Sequence, residues 1–314
     1  MSLRPGQRVG PYVVERQLGA GGMATVWRAW DERHRQYAAI KVMVEMIADD
    51  AQLTARFIDE VRRHAQMHHP HIVAVRDVFS IGGSPCMVMD LVPGGSLAMA
   101  LDASPGHRLP FSVALPLIKD VLDALDYAHR KGIVHRDVKP SNILLDEAHQ
   151  HAWLSDFGIA LAAGEKRRTR AGVSVGTNAY MSPEQIRAEA IDFRSDVYSV
   201  GCVLYETLTG RPPFEATSGG GETVRAAVLA AHLRDEPVAP RRRERSVPAH
   251  VSALIMRALA KDPARRIAGC AEFARLLEAS ARRPDWQLRR VLSTVSIVVA
   301  VVAAFVLIAL LTAG

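Results

Sequence analysis

The chain has 314 residues, a formal net charge of +6, 49% hydrophobic and 23% charged residues, which is the usage of a folded protein with an ordinary core and excludes disordered and collagen-like classes. Its mean hydropathy of +0.05 is high for a soluble chain, and the excess sits at one end: residues 291–314 carry no charge, and 19 of these 24 are hydrophobic. The basic residues are dispersed apart from Arg241-Arg242-Arg243 and pairs near 167 and 289, which speaks for solvated surface and against nucleic acid as a partner. Three distant cysteines, Cys86, Cys202 and Cys270, suggest neither a disulfide framework nor a zinc site, and the first residues lack the apolar run of a secretory signal.

Short apolar or alternating runs at 12–14, 25–30, 37–42, 72–75 and 86–89 have the length and composition of strands. One helical stretch, 51–67, interrupts them, with Leu53, Phe57, Val61 and Ala65 near the helical period. After Gly94-Gly95 helical patterns dominate, at 111–131, 194–209, 223–232, 248–260 and 271–281, with short strands at 143–145 and 152–154. Strands first and helices later, with a Gly-Gly joint between, predict an α+β protein of two unequal lobes.

Three segments carry chemistry. Leu18-Gly19-Ala20-Gly21-Gly22-Met23-Ala24-Thr25-Val26 lies between two predicted strands, where glycines let backbone N–H groups approach phosphate oxygens; a Gly-rich hairpin turn explains the same residues. Neither the Gly-Lys-Ser/Thr ending of a P-loop nor the following helix of a dinucleotide fold is there. Lys41 ends an apolar strand, and Glu60 on the helical stretch is a plausible ion-pair partner, although an edge-strand lysine facing water fits too. The third segment is decisive. In His135-Arg136-Asp137-Val138-Lys139-Pro140-Ser141-Asn142, Asp137 can accept a hydroxyl proton, Lys139 can neutralise a transferring phosphoryl group and Asn142 can offer magnesium an oxygen; Ser155-Asp156-Phe157-Gly158 adds a second hard ligand beside a glycine.

With Gly176-Thr177-Asn178-Ala179-Tyr180-Met181-Ser182-Pro183-Glu184 and Asp196-Val197-Tyr198-Ser199-Val200-Gly201 following in order, the chain resembles the bacterial, eukaryotic-like (Hanks-type) Ser/Thr protein kinases. The resemblance implies a two-lobed kinase fold over residues 12–279, with a β-rich lobe at 12–92 and a helical lobe at 95–279, and transfer of the γ-phosphate of ATP to protein Ser/Thr hydroxyls with magnesium, or manganese in its place. A pseudokinase scaffold that binds nucleotide without chemistry is the alternative.

Carried over by the resemblance, Lys41 holds the α- and β-phosphates and pairs with Glu60, Asp137 is the catalytic base, Lys139 assists it, and Asn142 and Asp156 ligate the metal. Residues 18–26 cover the phosphates, Val26, Ala39 and Leu144 sandwich the adenine, Met89 is the gatekeeper, and the backbone from Asp90 to Val92 bonds the base. Arg136, Thr177, Glu184, Asp196 and Arg266 are structural, with Glu184 paired to Arg266. Ala24 stands in place of the third loop glycine and Ser182 in place of the alanine of A-P-E; neither change is expected to remove activity. Lys139 points to Ser/Thr rather than Tyr specificity.

The basic segment 164–174 reads as an activation loop in which Thr169 is the main and Ser174 the second autophosphorylation site, with Arg136 anchoring the phosphate; a basic loop that only aids solubility is the plainer reading. Histidines 64, 68, 69 and 71 invite a metal, but no cysteine or carboxylate nearby completes a site.

At 1.5 Å per residue, a helix over 291–313 is roughly 34 Å long, enough for one membrane span. Arg282, Arg283, Arg289 and Arg290 in the linker 280–290 place the kinase on the cytoplasmic side of an inner or plasma membrane. The expectation is an anchored kinase without its own ectodomain, whose tether favours homodimers and autophosphorylation in trans.

Overall fold

The computed structural model describes residues 3–21, 24–43, 61, 64–157, 175–215 and 221–282. Six strands, β1 (Arg8–Val9), β2 (Tyr12–Ala20), β3 (Ala24–Asp31), β4 (Gln36–Met43), β5 (Val75–Ile81) and β6 (Ser84–Asp90), form one antiparallel sheet in the order β1-β2-β3-β4-β6-β5. Alternation along β4 sends Ala38, Ile40 and Val42 into one apolar cluster with Trp27 and Val88, and Ala39 and Met43 into another with Met87 and Met89. Lys41 shares the parity of Ala39 and Met43, so the period of the strand delivers its ammonium to the face that looks at the second lobe.

The second lobe holds α1 (Leu97–Ala103), α2 (Phe111–Arg130), the hairpin β7 (Ile143–Leu145) and β8 (Ala152–Leu154), then α3 (Pro183–Ile186), α4 (Phe193–Thr209), α5 (Gly221–Arg234), α6 (Pro240–Arg243), α7 (Ala249–Ala258) and α8 (Cys270–Ala281). Its core forms around α4, most of whose 17 residues are buried. A helix apolar nearly all round has to be surrounded, and α2 and α7 supply that cover: α2 presents Leu117, Ile118, Val121, Leu122 and Leu125 at helical spacing. Asp192 caps α4 by accepting from the Arg194 N–H at 2.8 Å. The helix stops at Gly210, whose left-handed φ of 80° and 2.7 Å bond to the Glu206 carbonyl close the end.

Two features depart from the sequence reading. The run 72–75 is not a strand of the large sheet. Ile72 instead bridges Leu154, Val73 N–H donates to the Leu154 carbonyl at 3.0 Å and Leu154 N–H to the His71 carbonyl at 2.9 Å, so this segment ties the lobes together before β5 begins at Val75. Helix α1 carries too short an apolar pattern to announce itself, yet Ser96 caps it by accepting from Met99 N–H at 3.3 Å. Of the expected helix 51–67, Val61, His64 and Ala65 are helical; the part at 51–60 lies outside the described residues, as do Gly22, Met23, residues 158–174 and the expected span at 291–313. No helix among the described residues is long and apolar enough to cross a membrane.

The joint between lobes needs its glycine. A Cβ on Gly94 would stand 2.1 Å from the Asp146 carbonyl oxygen, because the Gly94 N–H bonds the Leu145 carbonyl at 2.9 Å and brings the linker against β7. Gly94→Ala is expected to lower the midpoint of thermal unfolding by about 3 °C or more, read by calorimetry beside the unaltered chain.

Candidate active site

A cleft of about 830 Å³ separates the lobes. Val26 and Ala39 line it from the sheet, Leu144 from β7, Met89 at the end of β6, and the Asp90–Val92 stretch along its edge. Its apolar walls with a polar backbone edge suit a flat, hydrogen-bonding ring. Leu18 and Gly19 reach over it from β2, and the Gly21 N–H bonds the Ala24 carbonyl at 2.9 Å to close the turn above the cleft. Thr25 pairs with Ala20 across that hairpin.

The polar end of the cleft is built from opposite lobes. Lys41 Nζ donates to Asp156 Oδ1 at 2.6 Å, joining β4 to the segment after β8 across 115 positions of sequence. The expected Lys41 partner, Glu60, lies outside the described residues. Burial by itself would raise the Asp156 carboxyl, but the Lys41 ammonium and its hydrogen bond outweigh burial and hold it below the usual carboxylate range. Asp156 sits at φ 63°, in the left-handed region that a non-glycine residue keeps only where its surroundings hold it.

Asp137 lies in the loop before β7, two residues from Lys139, which lines an adjoining cleft. Its Oδ2 accepts from Lys139 Nζ at 2.8 Å and from the Asn142 amide nitrogen at 3.2 Å, and that nitrogen also donates to the Asp137 carbonyl at 2.8 Å. With its NH₂ committed, Asn142 keeps its side-chain oxygen as the acceptor it can offer. Ser155 bonds the Asn142 carbonyl through both its N–H and its hydroxyl, at 2.9 and 3.1 Å, which sets Asn142 beside the Asp156 segment. A carboxylate and an amide oxygen are hard donors. They fit a cation such as magnesium that takes its remaining ligands from water and phosphate. Among the described residues no group of three or more His, Cys, Asp or Glu side chains is arranged to hold a metal. His64, His69 and His71 lie in tilted ring contact with Phe157, Tyr127 and Trp153.

The Asp137 loop is itself held from below. Asp196, buried in the first turn of α4, accepts from the backbone N–H of His135 and of Arg136 at 2.8 Å each and contacts His129 Nε2 at 2.7 Å. Arg136 has a φ of 65°, and its carbonyl accepts from Gln185 Nε2 at 2.7 Å. Its buried Nε has no hydrogen-bond partner among the described residues.

Below this, Glu184 and Arg266 form a two-pronged ion pair at 2.6 and 2.7 Å, with Ser195 donating to the same carboxylate. The other guanidinium donors go to the carbonyls of Ala260, Arg194 and Lys261. Thr177 lies in the short 3-10 helix Val175–Tyr180 that precedes this pair. Thr169 and Ser174 lie outside the described residues. Sequence reasoning missed the contact of His64 and His135 with Phe157 and the Tyr180 hydroxyl bond to Glu206 at 2.6 Å, since neither has a local signature.

Burial would raise the Glu184 carboxyl, but hydrogen bonds from Arg266 and Ser195 reverse this and bring it from 4.5 to about 2. A carboxylate lowered on folding stabilises the fold above its unfolded pKa, and that stability is lost as pH falls through the folded one. Glu184→Gln is therefore expected to cost about 3 kcal/mol at neutral pH by breaking a buried pair, measured by urea unfolding. The gap to the unaltered chain should shrink between pH 4.5 and about 2.

Comparison with known proteins agrees with this geometry. The protein kinase domain family matches residues 12–278. The serine/threonine-protein kinase PknJ of Mycobacterium tuberculosis is 38% identical over 272 residues, 86% of this chain and 45% of that protein. The serine/threonine-protein kinase PknB of Mycolicibacterium smegmatis is 40% identical over 262 residues, 82% of this chain and 40% of that protein. The chain thus spans less than half the length of these relatives. The crystal structure of the PknI kinase domain of Mycobacterium tuberculosis superposes with a TM-score of 0.69 at 28% identity, covering 89% of this chain and 100% of that one. A cleft between a β-sheet and a helical lobe, with Lys41 and Asp156 in its lining and Asn142 bonded to Ser155 beside them, and a family match over most of its length place this chain in the protein kinase family.

Proposed function

We propose that the chain is a protein Ser/Thr kinase that moves the γ-phosphoryl group of ATP to hydroxyls of protein substrates. The observation that carries this is the Asp137 carboxylate, held by Lys139 and Asn142 opposite the Lys41–Asp156 pair. Asp137 takes the hydroxyl proton and aims the oxygen, and Lys139 offsets negative charge gathering on the transferred group. Lys41 positions the α- and β-phosphates, while Val26, Ala39 and Leu144 exclude water around the base. Asn142 and Asp156 would hold magnesium, which when bound would neutralise phosphate charge. A second cleft of about 440 Å³, lined by Lys139, Ser141, Asp102 and Tyr180, adjoins the Asp137 loop and gives an extended peptide somewhere to lie. The intact set Lys41, Asp137, Asn142 and Asp156 speaks against a scaffold without chemistry.

In the same reading the chain works at a membrane. The uncharged residues 291–313, preceded by arginines, support a single span with the kinase on the cytoplasmic side, and the short linker favours homodimers that phosphorylate in trans. Thr169 is the main autophosphorylation site and Ser174 the second. Arg136, next to Asp137 and with an unpartnered buried Nε, is the cation that such a phosphate would recruit.

With labelled ATP and magnesium, Asp137→Asn is expected to cut phosphate incorporation about a hundredfold or more relative to the unaltered chain; equal incorporation removes the kinase assignment. Mass spectrometry of the active protein should find phosphate on Thr169. Phosphate on Ser174 with Thr169 bare would reverse their order.

A further inference from the structure

One end of the helical lobe carries a basic face that the proposed chemistry leaves unused. Helix α6 and the turn after it read Pro240-Arg241-Arg242-Arg243-Glu244-Arg245-Ser246, four arginines against one carboxylate. Two of the four serve the fold: Arg241 donates to the Val247 carbonyl at 2.6 Å, and the Arg243 guanidinium lies 5.6 Å from the centre of the Tyr205 ring. Glu244 does not offset the others, because its carboxylate pairs with Arg108 from the loop before α2. The side chains of Arg242 and Arg245 are exposed and have no ion pair among the described residues. Guanidinium groups crowded into one short stretch repel one another, and an array of planar forks fits phosphate oxygens.

The place of this face in the lobe says what it meets. Helix α8 packs along α2 and runs antiparallel to it. Near its end Glu278 pairs with Lys119 at 2.8 Å, whereas at its start burial, and then the carboxylates of Asp196 and Asp126, push the Cys270 thiol up. The last residue of the lobe, Arg282, therefore points to the beginning of α2. That is where Arg108 reaches Glu244 and where the Leu109 N–H bonds the Thr207 carbonyl at 2.7 Å, with α6 packed on α4 and α7. Two exposed apolar side chains adjoin the same elements, Val113 in the first turn of α2 and Val238 two residues before α6. In sequence, the uncharged run begins at residue 291, and even a fully extended chain from 282 to 291 reaches no further than roughly 32 Å.

We propose that this end of the helical lobe docks on the anionic lipid headgroups beside the span, with Arg242 and Arg245 as the cations that grip phosphate. This rests on the membrane reading of residues 291–313. The cytoplasmic leaflet is negatively charged, and its field acts within about a Debye length of the surface, so a basic face tethered this close meets it at high effective concentration. Val113 and Val238 add apolar contact at the interface. Docking gives the kinase body one orientation where the linker alone would let it swing.

The test uses the full chain in vesicles of phosphatidylcholine alone or of equal parts phosphatidylcholine and phosphatidylglycerol. All three native cysteines are buried, so a fluorophore on Ser246→Cys, or on Arg33→Cys of the sheet lobe, reports energy transfer to an acceptor lipid. Phosphatidylglycerol should raise transfer from Ser246→Cys and not from Arg33→Cys. Adding Arg242→Gln and Arg245→Gln should lower the ratio of docked to undocked chain about thirtyfold, while Arg242→Lys with Arg245→Lys, which keeps the charge, should dock nearly as well as the unaltered chain. Equal transfer from Ser246→Cys in the two lipids overturns the proposal and is the result expected if these arginines serve an acidic protein instead. A glutamine pair that docks like the unaltered chain overturns it too. A chain that alkaline washing strips from the vesicles loses the span reading, and its binding to preformed phosphatidylglycerol vesicles, lost or kept in the glutamine pair, still decides the face.

Discussion

One buried carboxylate underlies the geometry of the site. Asp196 sits on a helix that is surrounded on nearly every side, and both its oxygens are taken by backbone N–H groups of the loop that carries Asp137. A charge in such a place is tolerated only when it is fully hydrogen-bonded, and these bonds to a charged acceptor are among the stronger single contacts in a fold. They also hold Arg136 at its left-handed φ, directly before Asp137. The rigid core of the helical lobe thus reaches the reacting groups through two N–H bonds at 2.8 Å.

The ion pair of Glu184 and Arg266 extends the same logic downward. Arg266 is bonded by a carboxylate and three carbonyls, so its planar fork joins α3, the start of α4 and the loop before α8. A lysine could not reach all of these partners at once. Among the described residues the sheet lobe meets the helical lobe through contacts that include the Gly94 joint, the 71–73 clamp on β8, the Lys41–Asp156 pair and the His64–Phe157 rings.

Much of this was legible in the sequence, for different reasons at different places. The helices at 111–130 and 193–209 follow from apolar periodicity, and the Gly94-Gly95 joint from two adjacent glycines between a strand pattern and a helix pattern. The run 72–75 misled because its apolar residues have the composition of a sheet strand, while their partner is Leu154, in the other lobe. Composition records that a residue wants burial and does not record against what.

The sequence by itself named the candidate groups, because Asp137, Lys139, Asn142 and Asp156 stand in the order and spacing of the family motifs. It left Lys41 open between the cleft and water; the pairing of β4 with β6 and the strand's period of two put it in the cleft lining. Only the tertiary structure decided who pairs with whom. Lys41 meets Asp156 across 115 residues, and Asp196 meets the His135 backbone across 61. His64 reads in sequence as one of four histidines near a turn, and the tertiary structure sets its ring beside Phe157 of the other lobe. The physical reason is that a hydrogen bond or its absence depends on distances set by the packing of the whole core, and no local period encodes them.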